Sequence, residues 1–255
     1  MLEAVICTIS ASGTPWMNEL IRQSGQGLAD LSKNKGYKVI GHHMGVEKSL
    51  LASELRFYYG NNNLTVQNEK SKNPFAISAA ISRSFKANVR RALEMGAECI
   101  VYTEGDKPDF VDEIPKLVNK MKNESAGIVL PVRSRKGFAK FPWIQREFEE
   151  IVDHYVGEAI GIRTDYTYGP RAFNRRTARL ALTYPAENWG VQTFPVVAGC
   201  LQGEKLEIAE VPGYPQENYM QKYPPIMRNF FAHAAWRMIQ NSAHIRAAHM
   251  AKNIR

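Results

Sequence analysis

Short apolar runs alternate with stretches of helical periodicity through the first half of the chain. The run AVICTIS (4–10) stops at ASGTP, which suits a buried strand opening into a loop. Over 16–33, Leu20, Ile21, Leu28 and Leu31 recur at roughly helical spacing. YKVIGHHM (37–44) reads as a second strand. EKSLLASELRFYY (47–59) sets Leu50, Leu51, Leu55 and Tyr58 on one helical face, and NLTVQ (63–67) reads as a third strand. The spacing predicts a helix over 77–96, with Gly96 as its C-cap glycine, feeding directly into the strand ECIVYT (98–103).

Beyond Phe110 the alternation continues. A helix is expected over 111–122, a strand at AGIVLPV (126–132), an Arg- and Lys-rich loop at RSRKGFAKFP (133–142) and a helix over 143–161. TDYTYGPRAFNRR (164–176) reads as loop and turn. Short helices follow at 176–184 and 190–203, then a late strand, KLEIAEVPGYP (205–215), and a Pro-rich connection. Strands that are continuous apolar runs, separated by helices, imply an α/β fold with a mostly parallel central sheet flanked by helices on both faces. In such sheets ligands sit outside the carboxyl ends of the strands.

Glu104 and Asp106 fall at that end, directly after ECIVYT. Two carboxylates a few ångströms apart raise one another's pKa. A divalent cation, Mg²⁺ or Mn²⁺, removes that conflict and bridges a diphosphate. The alternative is a solvated loop in which Lys107 is the partner, and the pattern alone leaves both open.

Composition narrows the partners. The 255 residues are 44% hydrophobic and 23% charged, enough for one large α/β domain or two small ones. A formal charge of +8 favours an anionic partner or marks a merely basic surface. No zinc finger, RRM signature or basic stripe with regular aromatics is present, so nucleic acid is not the expected partner. Cys7, Cys99 and Cys200 lack metal-type spacing and lie among apolar residues, which reads as reduced core cysteines in a cytoplasmic protein. MLEAVICTIS has no basic region before its apolar run, and no run reaches transmembrane length.

From about Ala4 to Tyr219 the chain resembles the GT-A-fold nucleotide-sugar glycosyltransferases. The similarity is to the family-2 branch of dolichyl-phosphate mannose synthase and of mannosylglycerate or glucosyl-phosphoglycerate synthase-like enzymes. The resemblance rests on VICTISASG, on FKANVRRALEMGAECIVYTEGD, on GIVLPVRSRKG and, most specifically, on DYTYGPRAFNRR. It implies a nucleotide-diphosphate sugar donor, a divalent metal held by Glu104 and Asp106, and a small-molecule or lipid-phosphate acceptor. Ser10, Ala11 and Ser12 would lie against base and ribose. Lys86 and Gly105 would lie near the donor phosphates, and Arg133 would face the donor diphosphate or the acceptor. Asp165, Gly169 and Arg171 would form the acceptor side, with Asp165 and Arg171 as the catalytic pair. Asp165–Arg171 pairing as scaffold and Arg133 as a surface charge are the plainer alternatives.

The sequence departs from that pattern at three places. Glu104 stands where Asp is usual, and Gln192 where Gly-Val-Glu is usual. The downstream histidine ligand of glycerate-type relatives is missing, which leaves Glu217 or His233 as a third ligand. These departures keep an inactive nucleotide- or sugar-binding protein as the alternative function. A nucleotidyltransferase would need a Gly-rich phosphate loop after the first strand, and ISASGTP has a single glycine. The chain divides into a transferase-like portion (1–225) and a basic helical segment (226–255). That segment either packs on the core, joins a homo-oligomer or lies on an anionic membrane.

Overall fold

The structure is a computed structural model that describes residues 4–11, 15–44, 50–60, 63–67, 74–213 and 230–253. A seven-stranded sheet in the order β3-β2-β1-β4-β6-β5-β7 forms its centre. The strands are β1 (Ala4–Ala11), β2 (Lys38–Met44), β3 (Leu64–Gln67), β4 (Cys99–Glu104), β5 (Ile128–Arg133), β6 (Arg171–Asn174) and β7 (Leu206–Val211). All pairings are parallel except those of β6, which runs antiparallel to both β4 and β5. This is the α/β architecture with a mostly parallel, helix-covered sheet that the apolar pattern implies.

Helices cover both faces. On one lie α1 (Pro15–Lys35), α2 (Leu50–Tyr59) and α4 (Ile114–Asn123), packed on a core that includes Ile6, Val39, Val101 and Val129. On the other lie α3 (Pro74–Glu94), α6 (Trp143–Ile160), α7 (Arg175–Thr183), α8 (Phe194–Leu201) and α9 (Phe230–Lys252). Their core includes Val5, Cys7, Ile100, Ile128 and Phe173. Alternate residues of each strand thus serve different cores, which is why the strands read as unbroken apolar runs. A short α5 (Arg135–Phe138) lies inside the basic stretch expected to be loop; the Ser134 side chain accepts from the Gly137 N–H and starts it.

Two local features explain how the chain reaches the carboxyl end of the sheet. Gly96 sits at φ +84°, and the Ala97 N–H reaches the Ala92 carbonyl while that of Gly96 reaches Leu93. This Schellman-type stop turns α3 into β4, as expected from the sequence. The larger difference lies in TDYTYGPRAFNRR. Its second half is not loop but β6, inserted between β4 and β5 and followed at once by α7, whose first turn the Asn174 side chain caps through the Thr177 N–H. Four residues with one apolar pair, bracketed by Arg and Asn, carry too little period for a strand to be read from sequence.

The described C-terminal helix is packed on the body. Helix α9 lies against α6 and α8, with Trp236, Ala243, Ala247, Ala248 and Ala251 buried. Its buried face is also polar: His233, Arg237, Asn241 and His244 follow at intervals that keep them on one side of the helix. Among the described residues no helix is long and apolar enough to cross a membrane. None of the three cysteines is in a disulfide; Cys7 and Cys99 are buried.

Candidate functional site

The acid pair stands at the carboxyl end of the sheet. Glu104 closes β4 opposite Ile9 of β1, the Gly105 N–H donates to the Ile9 carbonyl at 2.8 Å, and the Lys107 N–H returns to the Glu104 carbonyl at 3.1 Å. The chain therefore makes a tight turn that presents Glu104, Asp106 and Lys107, each partly exposed. Gly105 is small for a reason: a Cβ there would lie 3.0 Å from the Ser10 Cβ and 3.2 Å from the His43 ring. Ser10 itself is buried, and its Oγ shares a 2.5 Å hydrogen bond with His43 Nδ1. Burial and the neighbouring His42 push the His43 pKa down to about 3, so its ring is neutral.

The second motif folds onto the first. A Cβ on Gly169 would stand 2.5 Å from the Glu104 carboxyl carbon, so the backbone of the DYTYG loop abuts the Glu104 carboxylate. A side chain at position 169 would push the Glu104 carboxylate aside. On its other side Glu104 forms an ion pair with Lys107, whose Nζ lies 4.7 Å over the Tyr168 ring.

Behind the loop lies a buried charge network. Arg133, at the end of β5, donates from Nε to Asp165 Oδ2 at 2.6 Å and from Nη2 to Oδ1 at 2.8 Å. Its Nη1 meets Glu149 of α6 at 2.8 Å, and Arg237 of α9 reaches the same carboxylate at 3.4 Å. Gln145 donates to Glu149 at 2.6 Å. The Arg133 guanidinium also lies 4.6 Å over Phe138 and 5.1 Å over Tyr168. Burial would lower the Arg133 pKa, but Asp165 and Glu149 outweigh it and hold the group charged. Burial works against the Asp165 carboxylate too, and Arg133 overcomes it, keeping Asp165 below the usual carboxylate range. Neighbouring Asp153 goes the other way, raised by burial and by the Asp165 charge.

Arg171 takes a different place. It is fully buried at the start of β6, and its guanidinium donates to the carbonyls of Gly169 (2.9 Å), Gln192 (2.6 Å), Tyr166 (3.4 Å) and Tyr168 (3.3 Å). Burial lowers its pKa to about 10. It clamps the loop from within and is not paired with Asp165, whose partner is Arg133. Gln192 in turn donates to the Tyr102 hydroxyl at 3.0 Å.

The remaining candidates fall in several places. Ala11 ends β1, while Ser12 and Glu217 lie outside the described residues. Lys86 donates to the Tyr184 carbonyl at 2.6 Å and to that of Ala186 at 3.4 Å, past the end of α7. His233 is buried on α9, one turn before Arg237. The structure thus brings together Ser10, Glu104, Gly105, Asp106 and Gly169, with Arg133, Asp165 and Arg171 immediately behind. It does not bring Lys86 to them by any bond. Sequence reading missed Glu149, Tyr168 and Arg237. For Glu149 a signal existed: it shares the buried stripe of α6 with Gln145, Val152 and Val156, and a carboxylate in a core stripe announces a buried partner.

The divalent metal expected at Glu104 and Asp106 can be tested against these residues. The Glu104 carboxylate is already neutralised by Lys107, and among the described residues no group of three or more His, Cys, Asp or Glu side chains is placed to hold an ion. Glu104 and Asp106 offer two carboxylates at one turn, and an ion there would have to share Glu104 with the Lys107 ammonium.

No protein-family model matches this chain, and no curated protein matches it. Solved structures of similar shape include a protein described as a nucleotide-diphospho-sugar transferase from Desulfovibrio desulfuricans G20. It is 11% identical, with 97% of this chain and 99% of that one covered, at a TM-score of 0.46. A mannosyltransferase from Pyrobaculum calidifontis, in complex with GDP-Man and Mn²⁺, is 14% identical over 96% of this chain and 73% of that one, TM-score 0.46. A cytidylyltransferase from Leptospira borgpetersenii is 12% identical over 88% and 80%, TM-score 0.45. Identities this low transfer no residue role.

Proposed function

We propose that the chain is a glycosyltransferase that moves a sugar from a nucleotide-diphosphate donor to a small or phosphorylated acceptor. The observation that carries this reading is the approach of Gly169 to Glu104. Two motifs that are far apart in sequence, and that the resemblance assigns to donor and acceptor, meet at the carboxyl end of a largely parallel sheet, where such ligands bind. The donor diphosphate would dock at the Glu104–Lys107 turn, with its nucleoside along the end of β1. The acceptor would approach over the 165–169 loop.

In the transfer, the bond from the anomeric carbon to the β-phosphate oxygen breaks and its electron pair stays on the phosphate. The acceptor oxygen bonds to that carbon, and its proton passes to solvent water or to the departing phosphate oxygen. Asp165, the sequence candidate for a base, has both oxygens engaged by Arg133 and also accepts from the Tyr168 N–H at 3.0 Å. In this reading Asp165 and Arg171 position the loop rather than take the proton. A contact with a second copy or an anionic membrane would use the outward face of α9, where Phe231 and Met238 are exposed.

The test is release of nucleoside diphosphate from a panel of nucleotide sugars, with a mixture of sugar phosphates, glycerate and lipid phosphate as acceptors. One donor that turns over, with turnover lost in Asp106→Ala, supports the reading. Saturable donor binding without any release makes the chain a binding protein on this fold. Neither binding nor release overturns the proposal.

A further inference from the structure

We infer that Lys107 is the cation of the donor site, so that a nucleoside diphosphate binds there without a divalent metal; this rests on the donor reading above and specifies its chemistry. A diphosphate docking beside the Glu104 carboxylate needs a cation next to it, and Lys107 is a cation at that point. Lys107 forms the ion pair with Glu104 while its Nζ lies 4.7 Å over the Tyr168 ring. Its side chain is 17% exposed, so the ammonium is held in place yet open on one side.

An ammonium carries three N–H donors and no acceptor. Glu104 is its carboxylate partner and the Tyr168 ring lies beneath it, and in this inference a phosphate oxygen accepts a further N–H. The turn that holds Lys107 is itself fixed, by its own N–H to the Glu104 carbonyl and by Gly105 to Ile9. The Gly169 backbone borders the Glu104 carboxylate closely. The charge therefore sits at a defined point rather than on a swinging surface side chain.

Neither Arg171, whose guanidinium serves four carbonyls, nor Arg133 competes for that role. Arg133 lies 5.1 Å over the same ring, but its side chain is 1% exposed and faces two carboxylates, Asp165 and Glu149, where Lys107 has one. A divalent ion on Glu104 would sit against the Lys107 ammonium, and like charges that close repel unless one leaves. Losing the ammonium would also forfeit its contact with the ring. As the bond from sugar to phosphate breaks, the electron pair collects on the β-phosphate oxygen and Lys107 meets it as a point charge.

The experiment is calorimetric titration of GDP, UDP, ADP, CDP and dTDP, each in EDTA and in Mn²⁺, on wild type, Lys107→Met and Lys107→Arg. The inference expects one nucleotide to bind wild type in EDTA about as well as in Mn²⁺. Lys107→Met should weaken that binding about ten- to a hundredfold in EDTA, the loss of one charge-assisted hydrogen bond, while Lys107→Arg keeps most of it. Circular dichroism confirms that the variants fold, and Lys107→Gln replaces the methionine variant if it does not. Binding that requires Mn²⁺, or binding in EDTA that the neutral variant leaves unchanged, overturns the inference and leaves the donor site standing. No binding of any nucleotide under either condition overturns the transferase reading along with it.

Discussion

Arg133 holds Asp165 through two nitrogens at 2.6 and 2.8 Å, in a position where the arginine side chain is 1% exposed and the aspartate 10%. The pair joins the end of β5 to the loop carrying Gly169, and Glu149 and Arg237 extend it to α6 and α9. Asp165 also accepts the Tyr168 N–H, so the ion pair sets the backbone that abuts Glu104.

Removing one partner should be costly. Arg133→Met strands the Asp165 and Glu149 carboxylates in a buried setting and is expected to lower unfolding stability by about 3–5 kcal/mol, read by urea denaturation. The double variant Arg133→Met, Asp165→Leu should recover part of that loss. A single variant as stable as wild type would show the network to be solvated.

Two buried histidines should make the fold sensitive to acid. Burial drives both His43 and His244 down to about 3, while in the unfolded chain each takes its proton near the ordinary histidine pKa of ~6.5. The unfolded state then binds more protons below that value, so stability falls as pH drops from about 6.5 towards 3. Asp153 has the opposite sign, since its raised pKa makes the fold the better proton binder at low pH. The clean measurement is therefore a difference. His244→Gln, which keeps a partner for Thr193, should reduce the loss between pH 6 and pH 5 by about 1 kcal/mol. Parallel curves for variant and wild type would refute the assignment.

Gly169→Ala inserts a methyl group where the Glu104 carboxylate lies. The carboxylate is the far end of a flexible side chain that is 22% exposed, so it can move aside at little cost in stability. Because the displaced group is Glu104, nucleotide affinity should fall by about tenfold or more even where the variant remains folded. Calorimetry alongside a melting curve separates the two effects, and unchanged affinity would detach Gly169 from the donor site.

Lys86→Met tests the other direction. Its ammonium serves the carbonyls of Tyr184 and Ala186, so the variant is expected to lose about 1 kcal/mol of stability and to bind nucleotide as wild type does. A large drop in affinity with unchanged stability would return Lys86 to the site.

The sequence showed the sheet more readily than the site. Strands buried on both faces leave continuous apolar runs, and the Gly96 stop marks the entry to β4, so the parallel part of the fold was legible. Strand β6 was not, because four residues paired on both sides need little local signal: the sheet supplies it. Glu104, Asp106 and Gly169 were legible as motifs. The roles of Arg133 and Asp165 depended on Glu149 and Arg237, whose partnership spans 88 positions and leaves no spacing to read. Arg171 looked like a ligand hook and lies among carbonyls because its strand carries it inwards.

That long span has a consequence for how the molecule is made. A ribosome emits Glu149 well before Arg237, 88 residues later, so the nascent chain carries this carboxylate and the face of α6 uncovered until α9 has been added. The sheet can assemble during synthesis, but the loop behind Gly169 takes its final support late. A stalled or clipped chain that lacks α9 should be recognised by chaperones as unfinished, even though all seven described strands are in place.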